Sequence, residues 1–122
     1  MSTTLQTDLV ATKLQTACES VLPGAVFPQV YTGGLLKYIV WNYNAIPALW
    51  AEGDAQAARY LVQVHLYLPH KEAPHGAILA LSEALTAEGF TRPQLTDAGD
   101  AEGQHWVLEC ETADGGTKYG YA

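Results

Sequence analysis

Residues 35–68 read LLKYIVWNYNAIPALWAEGDAQAARYLVQVHLYL, and this stretch decides the fold. It opens on a run of branched and aromatic residues from Leu35 to Tyr43 and closes on a longer one from about Ala57 to Leu68. The second run alternates, with Tyr60, Val62, Val64, Leu66 and Leu68 on one side and Arg59, Leu61, Gln63, His65 and Tyr67 on the other. Successive side chains of a strand point to opposite faces. The first set therefore predicts a sheet face against a core, and the second a mixed, half-exposed face. Between the runs, Asn44-Ala45-Ile46-Pro47, a short strand-like PALWAE and Gly53-Asp54 carry turn chemistry. A long central hairpin with a turn-rich connector is the expectation.

Outward from the hairpin the period changes. Over residues 3–22, Leu5, Leu9, Leu14, Ala17, Cys18 and Val21 recur every three or four positions, which predicts a helix stopped by Pro23-Gly24. Over residues 73–88, Ile78, Leu81 and Leu85 with Ala77 and Ala84 predict a second helix. Pro74 fits its first turn and Gly89 its C-terminal cap, and Phe90 is placed to tuck back against it. Residues 25–34 read as a short extended piece in which Pro28 argues against a central strand. After the second helix come an extended FTRPQLTD, an acidic AGDAEG turn and a strand QHWVLECET, with Trp106, Leu108 and Cys110 sharing one face. The order α-(β)-β-β-β-α-β-β predicts an α+β fold, two helices on a mainly antiparallel sheet. Residues 1–112 are expected to form one domain, and residues 113–122 a mobile tail.

The 122 residues carry a net charge of −7, which disfavours a protein that grips phosphate backbones. Two isolated cysteines, Cys18 and Cys110, read as reduced and intracellular. The first residues lack a basic segment followed by an apolar one, so no signal peptide is expected. The longest charge-free apolar stretch, YIVWNYNAIPALWA, is too short to span a bilayer.

Reactive chemistry is thin. His65, His70 and His75 are not at ligand spacing and no Cys or acidic cluster completes a set, so no metal is expected. None of the serines sits in a strand-turn-helix elbow, and Cys18 falls on the apolar side of its helix. Glu109 and Glu111 share a strand face, roughly 6–7 Å apart at Cα, which suits either acid/base work or the wet side of a sheet. The Gly pairs at 33–34 and 115–116 lack the context of a phosphate loop. Aromatic residues are plentiful, and Trp41, Tyr43 and Tyr67 are expected to be half exposed. They serve either cross-strand packing or a protein–protein surface, and Trp41, Leu61, His65 and Tyr67 are the candidate interface residues.

Tyr38, Ile39, Val40 and Trp41 in one strand, Tyr60, Val62, Gln63, Val64 and Tyr67 in the next, and Gly89-Phe90 closing a helix together resemble a known pattern. The chain, over roughly residues 5–112, is similar to the tail-completion or tail-terminator proteins of long-tailed bacteriophages and prophages. It departs from them at His65, where the family often carries an acid. The resemblance implies a structural, non-enzymatic protein without cofactors. It implies a homo-oligomeric ring, commonly a hexamer, that caps the tail tube and meets a head-connector or head-closure protein. DNA would pass through without specific binding and no membrane would be involved. Such a protein would sit in the bacterial host cytoplasm during assembly and afterwards in the virion neck. Asp54, Asp97, Asp100 and Glu102, all in expected turns, would then be candidates for an acidic lumen. Two other readings stay open. One is a small ligand-binding or regulatory domain of ferredoxin-like type, with a pocket lined by Trp41, Trp50 or Trp106. The other is a small hydrolase or isomerase using His65 with Glu109 or Glu111.

Overall fold

The alternation in residues 57–68 builds the central strand of a five-stranded sheet. The fold is that of a computed structural model, which describes residues 2–51 and 54–113, with side chains at 9–46 and 59–113. Its elements are α1 (Ser2–Glu19), β1 (Val26–Pro28), β2 (Tyr38–Ala51), β3 (Asp54–Leu68), α2 (His75–Ala87), β4 (Gln94–Asp97) and β5 (Gln104–Ala113). The strands lie in the order β1-β2-β3-β5-β4, antiparallel except for the parallel β1–β2 pair. The class is α+β, as the element order predicts.

The apolar side of β3 is the floor of the core. Tyr60, Val62, Val64, Leu66 and Leu68 are all buried, and Val10, Leu14, Ala17 and Cys18 of α1 and Leu81 and Leu85 of α2 join them in one cluster. Both helices therefore cover the same sheet face. Leu108 and Cys110 of β5 complete the cluster, with Trp106 packed against it. At the end of α2, Gly89 adopts φ +96°, its N–H donates to Thr86 O, and the Phe90 N–H reaches back to Leu85 O. This pair of bonds closes the last turn and folds Phe90 into the core.

Two expectations change. The connector read at residues 44–54, with its strand-like PALWAE and Gly53-Asp54 turn, is strand up to Ala51 and again from Asp54, because β2 runs unbroken from Tyr38 to Ala51 and pairs with β3 down to Ala51↔Asp54, with register shifts around Leu49. Trp41 is not half exposed. It pairs with Val64, shares the core face and is 5% exposed. Its indole N–H donates to Gln15 Oε1 of α1 at 2.9 Å, and Gln15 in turn donates to Glu19. Pro28 ends an edge strand, where its missing donor costs nothing. Ala113 belongs to β5, and residues 114–122 of the expected tail lie outside the described residues. No helix among the described residues is long and apolar enough to cross a membrane.

Candidate functional site

With both helices on one face, the other face of the sheet carries no helix among the described residues. Strand pairing decides what it presents. Tyr38 of β2, Tyr67 of β3 and His105 of β5 are register partners on three adjacent strands. Side chains so placed repeat at the strand spacing of about 4.8 Å. Their rings stack accordingly, 4.5 Å from Tyr38 to Tyr67 and 4.3 Å from Tyr67 to His105 between centroids. Tyr31, in the loop before β2, extends the row at 4.7 Å from Tyr38, and Phe27 of β1 closes it at 4.1 Å from Tyr31.

Gly33 makes room for this row. A Cβ there would stand 2.2 Å from the Tyr31 hydroxyl oxygen, which accepts a hydrogen bond from the Leu35 N–H. The Gly33-Gly34 pair is thus explained at Gly33 by a ring seat.

His65 and His105 meet at the other end of the row. Nδ1 of His65 lies 2.8 Å from Nε2 of His105, so one ring donates and the other accepts. Burial lowers the pKa of His65, with His105 lowering it further and Glu109 opposing. Burial likewise lowers that of His105, against the pull of Asp100. Tyr67 is raised, by burial first and by Tyr38 second. This half of the face is therefore uncharged at neutral pH.

The remaining half is polar and internally paired. The Arg59 guanidinium donates to both oxygens of Glu111 at 3.2 and 3.3 Å, and Gln63 Nε2 donates to Glu109 at 3.1 Å. Leu61, with Asn42, Asn44 and members of these pairs, lines a polar depression of about 640 Å³.

A second feature lies at the edge of the aromatic half. A cleft of about 410 Å³ opens between Leu35-Leu36 on one side and the Asp100–Gly103 turn on the other, floored by Tyr38, Tyr67 and Gln104. Gln104 holds it together. Its Nε2 donates to Pro69 O at 2.8 Å and to Glu72 O at 2.6 Å, while its Oε1 accepts from Trp106 Nε1 at 2.9 Å. Glu72 also pairs with Lys37, which ties the same loop to the start of β2.

Of the expected interface residues, Leu61, His65 and Tyr67 come together on the open face, and Trp41 lies on the opposite one. Of the expected acids, Asp97, Asp100 and Glu102 gather around one turn. Asp97 and Asp100 accept from the backbone N–H groups of Gly99 and Glu102, both at 2.9 Å. Asp54 begins β3 at the other end of a 15-residue strand, roughly 45 Å away, and its side chain lies outside the described residues, as does that of Trp50. The cleft is lined by none of the tryptophans named for a ligand pocket. Sequence reasoning passed over His105, Tyr31 and Gln104, whose roles depend on register and loop geometry.

Among the described residues no group of three or more His, Cys, Asp or Glu side chains is placed to hold a metal ion. Glu109 is engaged with Gln63, and the two thiols are buried in the core, each pushed up to about 12 chiefly by that burial. The stacked rings turn their faces to one another. No protein-family model and no curated protein matches the sequence.

Proposed function

We propose that the protein is a structural subunit that assembles through its open sheet face. The setting is the one its sequence resemblance implies, a ring at the end of a phage or prophage tail tube, joined to the head connector. One observation carries this reading, a rigid, aromatic and uncharged half-face on a molecule of net charge −7. Copies of an acidic protein repel one another across most surfaces, and an uncharged patch is where they can meet. Tyr-rich, preordered surfaces lose little side-chain freedom on docking. A ring needs two different surfaces on each subunit, and the open face offers an aromatic half and a polar, internally paired half around Leu61. The overall acidity lets such a ring pass DNA without holding it.

The test is absolute mass by light scattering over a concentration series, alone and with purified tail tubes, with electron micrographs of the same fractions. The expected result is a closed ring of about six subunits, lost in Leu61→Lys while the circular dichroism spectrum stays that of the native chain. A wild-type monomer at every concentration that also ignores tail tubes would sink the proposal.

A further inference from the structure

The cleft at the edge of the open face has two unlike walls. Leu36 is 78% exposed and Leu35 44%, an unusual outlay of aliphatic surface to water for one short loop. Facing them, Asp100 and Glu102 are exposed carboxylates. Tyr38 and Tyr67, stacked on each other, line the cleft between them. The walls are fixed before anything binds. The acidic turn is set by its own Asp100–Gly103 backbone pairing, and His70 Nε2 bonds to Ala101 O at 3.0 Å. The aliphatic wall is anchored by the Leu35 N–H on the Tyr31 hydroxyl.

We infer that this cleft is a docking site for a short segment of a different protein, one that carries an aliphatic or aromatic side chain next to lysine or arginine. The apolar side chain is desolvated against Leu35, Leu36 and the two tyrosines. The cation lies over Asp100 and Glu102. Charge decides the occupant. A second copy brings another −7, and of its six basic residues Lys37 and Arg59 are already held by Glu72 and Glu111. A nucleic acid would set phosphates against the carboxylates. A basic, apolar segment of another chain satisfies both walls. Asp100 and Glu102 are thereby assigned to docking in place of a channel lining, since a wall facing Leu36 across a cleft is not bare water-facing surface. The inference does not depend on ring formation.

The probe is a set of synthetic 12-residue peptides with one Leu or Trp flanked by Lys or Arg, each matched by versions with Glu for the cations and Ser for the apolar residue. Binding is read from backbone amide shifts of the isotope-labelled full chain. The expected result is saturable shifts at Leu35, Leu36, Tyr38, Glu102 and Gln104 with the parent peptides, weakened by salt and absent with both matched versions. Leu36→Ser changes an exposed side chain. The double change Asp100→Asn with Glu102→Gln removes charge, while the amide oxygen introduced at position 100 keeps an acceptor for the turn. Each is expected to weaken binding about tenfold or more without moving distant amides. The inference fails if the basic peptides give no shifts, if acidic peptides bind equally well, or if the shifts fall elsewhere. It fails too if the cleft amides shift with protein concentration alone, which would make a second copy the occupant. Failure of the ring reading shows only in the mass measurement, so the two outcomes stay separate.

Discussion

Two imidazole nitrogens 2.8 Å apart can share one proton but cannot each hold one facing the other. His65 and His105 stand in that relation at the end of the aromatic row, and burial lowers the pKa of both in the folded chain below the ordinary value of 6.5. Glu109 and Asp100, the charged neighbours, pull the other way without winning. As pH falls through 6.5 the unfolded chain takes up protons first, so it binds more of them than the folded one. Folding stability must then decline as pH drops from neutral toward 5. His105→Phe keeps a ring on Tyr67 while removing one titrating group and the shared proton. Chemical denaturation at pH 7 and pH 5 should show the wild type losing stability and the variant losing less. Equal losses would mean that the pair does not govern the slope. None of this could be read from residues 65 and 105 in the sequence, 40 positions apart. Only the pairing of Tyr67 with His105 brings the rings together.

At the scale of elements, local signals were the legible ones. Gly89 after a helical period, followed by Phe90, announced a left-handed cap, and the φ of +96° and the Phe90-to-Leu85 bond realise it. A Cβ at Gly89 would meet nothing within 4 Å, so the cost of Gly89→Ala is conformational alone. It should be about 1 kcal/mol, measured by urea denaturation. A much larger loss would point to a packing role that the open space denies. Pro47 shows the opposite case, a signal that misled. The Ile39 N–H donates to Ala25 O and the Gln29 N–H donates to Trp41 O, so odd-numbered residues of β2 aim their backbone groups at the β1 side. Pro47 has that parity. Its missing N–H is therefore lost from the sheet edge and not from the β2–β3 ladder, and the strand passes through it. The parity of Asn42 and Asn44 could also have placed Trp41 with Ile39 on the buried side, because the two amides mark the wet face.

At the scale of the molecule, the sheet is supported unevenly along its length. From Tyr60 to Tyr67, β3 lies between β2 and β5, with helices beneath it. The described β3–β5 pairing runs to Arg59↔Ala113, where the described residues end, and β2 and β3 pair on to Ala51↔Asp54. Among the described residues, the far end of the hairpin is thus a two-stranded ribbon beyond the edge of the sheet. The alternation of Tyr60 to Leu68 made the supported part legible, since burial on one side imposes a period of two. Toward the hairpin end, Asn44, Pro47 and Gly53-Asp54 carry turn chemistry in the sequence, and this masked the continuing strand. Among the described residues no third strand pairs with it there, and two strands alone are marginal in water, so the ladder should open in two regimes. Backbone amide exchange should be slowest from Val62 to Leu66, approaching the global unfolding free energy, and markedly faster from Ala55 to Ala58 in the free chain. If the hairpin end is gripped by a neighbour in the assembled ring, its exchange should slow there while that of the central strand stays as it was. Equal protection along all of β3 in the free chain would show that the ribbon draws support from residues beyond those that pair with it here.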